Sequence, residues 1–182
     1  MFNVYWGETE VYQILDILEE CSAKSTFFIG GSWADDHVAC LKEIASRGHE
    51  IGNHGYFHKD QDKLSLLQNR EEILRCNQFI QLAIGVTPVL FAPPSGAYND
   101  ATLSACQALN MKTILWTKDT IDWRDKDAAL IFRRATQDVG AGAFVLMHPM
   151  EATVQALPNI LKEYQSRNLR AITVGENLAA GG

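Results

Sequence analysis

At 182 residues and 20.3 kDa, with 47% hydrophobic and 21% charged residues, the chain has the size and make-up of one globular domain. Sixteen basic against twenty-two acidic residues leave a formal charge of −6 and a pI near 5.3, which argues against nucleic acid or an anionic membrane as partner, since both demand a basic face. Its apolar runs are only several residues long, far below the ~20 needed to cross a bilayer, and disorder or a coiled coil fits the composition no better.

In chain order, β-branched and aromatic runs at Met1–Trp6, Ser25–Ile29, His49–Asn53, Val86–Phe91, Lys112–Trp116, Ala143–Met147 and Arg170–Val174 predict seven strands. Segments with helical spacing lie between them. Ile14, Leu15, Ile17 and Leu18 give the first an apolar stripe, and Val38, Leu41, Ile44 and Ala45 give the second one. Later helices are predicted near Leu64–Ile84, Asp100–Leu109, Asp127–Val139 and Thr153–Arg167, and Arg47-Gly48 reads as a helix stop. Strands alternating with helices predict parallel βαβ units in an open sheet or a barrel. A full eight-fold barrel takes about 250 residues, so this length fits a smaller or incomplete one. No linker or internal repeat divides the chain, and residues 1–182 read as one α/β domain.

Cys21, Cys40, Cys76 and Cys106 are widely spaced and form no C-x-x-C, so reduced, half-buried thiols are expected. Met1 leads almost at once into the first apolar run, with no basic region of a signal peptide. An intracellular protein and a chain preceded by other sequence, targeting segment included, are both open readings.

Polar clusters recur where predicted strands end: Asn3 to Glu8, His54 to His58, Pro93 to Gly96, Asp119 to Asp122, and His148. In parallel α/β folds that rim is where active sites assemble. His54 and His58, four apart, can face one point, and neutral imidazole suits zinc and related metals; hydrogen-bonded surface histidines share the same spacing. Pro93-Pro94-Ser95-Gly96 reads as a rigid strand exit, either a plain βα loop or one that aims N–H groups at an oxyanion. Asp119 and Asp122 beside Trp123 are either solvated loop acids or an acid that orients a histidine next to a pocket wall. His148 ends an apolar strand, as a core-edge histidine or as a general acid.

Together these segments resemble the polysaccharide deacetylase family, the NodB-like domains of carbohydrate esterase family 4. The resemblance runs in order over nearly the whole chain: Phe2-Asn3-Val4, Lys24 to Gly30, Glu50 to His58, Ala92 to Gly96, Asp119 to Trp123, and Leu146-Met147-His148. A Trp-Gly pair after the first strand also resembles a branch associated with sporulation and the cell wall. The resemblance implies a distorted, incomplete (β/α)7-type barrel around one divalent metal, with zinc first and cobalt or nickel as alternatives. The metal polarises the acetamide carbonyl of an N-acetylated sugar and helps activate water. A carboxylate base and a histidine acid complete this hydrolysis of a C–N bond other than a peptide bond. His54 and His58 are the implied metal ligands, His148 the acid, Asp122 its orienting partner, and the Ser95 N–H an oxyanion donor. Pro94, Ser95, Gly96, Trp123 and Leu146 are implied in substrate binding, with Trp123 and Leu146 lining the acetyl pocket. The implied partner is an N-acetylated polysaccharide, met by a monomer outside the cell, in the cell wall or on the spore; a cytoplasmic place also stays open.

Departures from the family pattern fall on the chemistry. Asn3 stands where the family has its catalytic aspartate, Val4 where it has a metal-binding aspartate, Ala92 where it has arginine, and Ser95 where it has tyrosine. A carboxamide takes no proton near neutral pH. Glu8, Glu10 and Asp119 are carboxylates near the rim that are candidates to substitute, while Glu8 and Glu10 also read as first-turn helix acids. The expected function is therefore metal-dependent N-deacetylation of peptidoglycan- or chitin-like polymers with reduced activity. The alternative is a catalytically degenerate glycan-binding module.

Overall fold

Seven short parallel strands build the inner wall. The computed structural model describes residues 1–181. In it β1 (Phe2–Val4), β2 (Thr26–Ile29), β3 (Glu50–Asn53), β4 (Leu90–Phe91) and β5 (Lys112–Thr113) pair in chain order, and β6 (Lys118–Asp119) pairs with β7 (Val145–Leu146). A parallel bridge between Phe2 and Met147 joins the two sheets, with the Asn3 N–H donating to the Met147 carbonyl at 3.0 Å. The wall thus runs β5-β4-β3-β2-β1-β7-β6, and no strand pairing among the described residues closes β5 onto β6. This is the expected distorted, incomplete (β/α)7 barrel.

Helices α1 (Glu8–Glu20), α2 (Gly31–Asp36), α3 (Val38–Ser46), α4 (Leu66–Ile84), α5 (Asp100–Ala108), α6 (Asp122–Asp125), α7 (Ala128–Thr136), α8 (Glu151–Ser166) and α9 (Val174–Ala180) connect and cover the strands. The apolar stripe of α1 (Val11, Ile14, Leu15, Leu18) and that of α3 (Cys40, Leu41, Ile44) are buried against the outward residues Phe2, Val4, Phe27 and Ile29. Arg47 ends α3, and Gly48 then takes φ 74°, a left-handed turn that costs glycine nothing. Alternation along β1 sends Asn3 to the opposite face, in register with Phe28, whose inward cluster holds Leu90, Ala92 and Ile114.

Two expectations about strands are corrected. The run Lys112–Trp116 supplies only the two residues of β5, and a sixth strand forms at Lys118–Asp119, because Lys118 and Asp119 find partners in Val145 and Leu146. Arg170–Val174 is not a strand. Thr173 instead caps α9, its hydroxyl accepting from the Glu176 N–H at 3.1 Å while its own N–H donates to the Glu176 carboxylate at 2.9 Å. This T-x-x-E capping box competes with the extended state that the β-branched composition favours. The Glu50 carboxylate takes the Gly175 N–H at 2.9 Å, tying the start of α9 beneath the barrel. All four cysteines are free, and no described helix is long and apolar enough to span a membrane.

Candidate functional site

The C-terminal ends of β1, β3, β4 and β7 and the turn after β6 converge on three imidazoles. His54 follows β3 and is 2% exposed. Its Nδ1 lies 2.7 Å from the Ala92 carbonyl, so Nδ1 carries the proton and Nε2 keeps a free lone pair. Burial, reinforced by neighbouring His58, lowers its pKa to about 3, and the ring is neutral. The His58 ring lies 5.0 Å from that of His54, edge to face, and burial lowers its pKa as well. His58 reaches this position through a left-handed backbone, φ 53°.

The loop that carries both rings is held from below by α4. Buried Glu72 accepts the Phe57 N–H at 2.8 Å and the Tyr56 N–H at 3.2 Å, and pairs with Lys59 at 3.0 Å. Asn53 accepts the Gly55 N–H at 2.7 Å and donates to the Ile73 carbonyl and to Asn77. Pro94 packs over Gly55, bringing the proline loop onto the histidine loop. Ser95 (φ 58°) and Gly96 (φ 66°) then turn the chain, with the Trp116 indole beside Gly96.

Across the rim, His148 is built into a satisfied network. Asp122 is fully buried; its Oδ1 faces the His148 Nδ1 at 2.7 Å and accepts the Trp123 N–H at 3.0 Å. Its Oδ2 accepts the His148 N–H and the Thr153 hydroxyl, each at 2.6 Å. With both oxygens so occupied, the carboxylate fixes the imidazole's orientation. Ile121, just before Asp122, is left-handed at φ 52°, a strained state for a β-branched residue that costs of order 1–3 kcal/mol. Arg134, bonded to the Thr120 carbonyl at 2.9 Å and to Asp125 at 2.6 Å, holds the turn in place.

The opposite wall is neutral. Asn3 is 3% exposed, and its Oδ1 is buried with no hydrogen-bond partner. Val4 lies wholly within the apolar cluster that also holds Phe2 and Ile29, and Ala92 is fully buried in the inward cluster. Among the described residues no three His, Cys, Asp or Glu side chains are grouped to hold a metal. Of the implied ligands, His54 and His58 supply two imidazoles, Val4 offers no donor, and the residues do not complete the metal set that the resemblance implies.

The remaining candidates fall in two groups. Leu146 is buried in β7, its carbonyl taken by Thr120, while Trp123 is half exposed at the rim. The carboxylate of Glu8, on the first turn of α1, faces His37 at 3.3 Å. Asp119 accepts from the Trp116 indole and the Ile121 N–H, and so shapes its own turn. Sequence reasoning did not single out Glu72 and Thr153, the buttresses of the two histidine loops. For Glu72 a signal existed: Asn69, Glu72 and Cys76 share the buried face of α4, and acids rarely lie there unpaired. An apolar cavity of about 350 Å³ opens at the other end of the barrel, among Phe2, Leu18, Val145, Ile160 and Leu161.

The polysaccharide deacetylase family model matches residues 1–114. YlxY of Bacillus subtilis, described as uncharacterized, is 36% identical over 97% of this chain and 55% of its own length. A peptidoglycan-N-acetylglucosamine deacetylase of Bacillus cereus is 31% identical over 91% of this chain and 80% of its own. The crystal structure of wild-type BA3943 from Bacillus anthracis, described as a CE4 family pseudoenzyme, superposes with a TM-score of 0.94 at 33% identity, over 97% of this chain and 63% of that one. The chain spans little more than half the length of YlxY. Ordered motifs, an open seven-stranded barrel and these likenesses agree: the chain belongs to the polysaccharide deacetylase family.

Proposed function

We propose that this chain is a glycan-binding domain on a deacetylase frame, with hydrolysis lost, and that its ligand is an N-acetylated cell-wall polymer of the peptidoglycan or chitin type. The observation that carries this reading is the neutral wall: Asn3, with an unpartnered buried Oδ1, stands where a base is needed, and Ala92 where its arginine partner would stand. A family enzyme that kept the aspartate without the arginine would strand a buried charge at a cost of about 3–5 kcal/mol. Losing both strands none, so the wall is self-consistent as a neutral surface. The imidazole nitrogens of the rim suit hydroxyl and amide groups of a sugar. The likeness to a protein described as a pseudoenzyme supports the same reading.

A second reading, slow hydrolysis assisted by a zinc-class metal, is favoured by two features. His148 is held by Asp122 in a geometry fit for a general acid, and His54 keeps Nε2 free for a metal. Calorimetric titration with N-acetylglucosamine oligomers and peptidoglycan fragments, with an acetate assay and metal analysis on the same samples, separates the two. Binding without acetate release is the expected result. Stoichiometric metal with sustained acetate release, abolished in His54→Ala, replaces the first reading by the second. The peptidoglycan deacetylases among its relatives support a cell-wall association for this reading.

A further inference from the structure

Trp6 stands outside every role assigned so far. Its indole stacks on the His148 ring with centroids 5.6 Å apart and planes 13° from parallel, and its Nε1–H donates to the Met150 sulfur at 3.0 Å. Gly7 (φ 80°) locks this turn against the exit of β7: a Cβ there would lie 2.3 Å from the Pro149 carbonyl oxygen. The indole is therefore fixed in place, one face on His148, yet 37% of the residue remains exposed. Beside it opens a groove of about 580 Å³, with Glu10, Lys126, Glu151 and Gln155 around Trp6 and Met150.

A rigid, half-open indole beside carboxylate, ammonium and carboxamide groups matches the two-faced chemistry of a pyranose. The sugar's C–H face lies on the ring, where aromatic burial is most favourable, and its hydroxyls meet the polar side chains. An apolar ligand would leave Glu10, Lys126 and Gln155 unpaired. We propose that this groove is a second sugar-binding subsite, with Trp6 as its stacking platform, lying beyond the imidazole cluster on the side of α1 and α8. It lets one oligosaccharide run from the rim of the barrel into the groove. This rests on the glycan-binding reading above.

The test is titration of N-acetylglucosamine oligomers of increasing length into the wild type, Trp6→Leu and Trp6→Phe, followed by calorimetry and indole fluorescence. Longer oligomers are expected to bind the wild type more tightly and to change its fluorescence. Trp6→Phe, which keeps an aromatic face, should hold affinity within about threefold, whereas Trp6→Leu should lose about tenfold or more on the longer oligomers alone. Gln155→Ala, on the far wall and away from the imidazoles, should weaken the longer oligomers in the same selective way. If Trp6→Leu matches or exceeds the wild type, or loses affinity equally at all lengths, the groove is not a subsite even though the domain binds glycan. If no oligomer binds the wild type, the glycan-binding reading fails and the subsite with it.

Discussion

The two walls of the site solve the problem of buried polarity in opposite ways. On the β7 side, Asp122 is fully buried, and His148, Thr153 and Trp123 all donate to it. On the β1 and β4 side the charges are absent, and what remains is Asn3 with an unsatisfied oxygen beside alanine and valine positions. A buried charge survives only with its full set of partners, so a network is kept whole or given up whole. Retention of the His148 network beside a neutral wall leaves a site that orients an imidazole on one side and holds no carboxylate at Asn3 on the other.

Substitutions sharpen that contrast. The largest effect is expected from Asp122→Ala, which strands the donors of His148, Thr153 and Trp123; chemical denaturation should show a loss of about 3–5 kcal/mol. A loss below about 1 kcal/mol would mean that the two walls are not different in kind.

Acid unfolding probes a third buried imidazole away from the site. His49 accepts the Ser25 N–H through Nδ1, and burial, with Lys24 and Arg47 nearby, lowers its pKa to about 4. The unfolded chain takes up this proton near pH 6.5, so between pH 6.5 and 4 it binds more protons than the fold. Stability is complete above that window and falls as pH drops through it, by about 2–3 kcal/mol. His49→Gln should lessen the slope of this part of the stability–pH profile, to which His54 and His58 also contribute, and an unchanged slope would remove His49 as a source.

The smallest effect is expected from replacing Asn3 by leucine, and the same position tests the cost of a charge. Asn3→Leu removes an unpaired acceptor and should leave unfolding free energy within about 1 kcal/mol of wild type, or slightly raise it. Asn3→Asp buries a carboxylate with no cation opposite Ala92 and should destabilise more than Asn3→Leu, with Ala92→Arg recovering the loss. Equal stability of the two single variants would mean that the neutral wall tolerates charge.

Where side-chain pattern and local chemistry coincide, the sequence was enough. Alternating apolar strands and striped helices predicted parallel βαβ units, the family resemblance made them a barrel, and the ends of those strands located the histidine, proline and aspartate loops. Arg170–Val174 misled because β-branched composition is shared by strands and by the approach to a capped helix. Lys118–Asp119 went unseen because two polar residues become a strand only when β7 offers partners. Thr153 lay hidden because its role depends on a loop distant in sequence, and the spacing around Glu72 marked a buried acid without naming the loop it holds.

The sequence by itself determined the family, the order of its motifs and the neutral identities of Asn3, Val4 and Ala92, which the resemblance reads as replacements, because those are matters of residue identity and spacing. Only the tertiary structure decided what those replacements mean. Burial and hydrogen-bond partners arise from segments far apart in the chain: they leave the Asn3 oxygen unpaired, surround Asp122 with donors, and lay the Trp6 indole on His148 at the edge of an open groove.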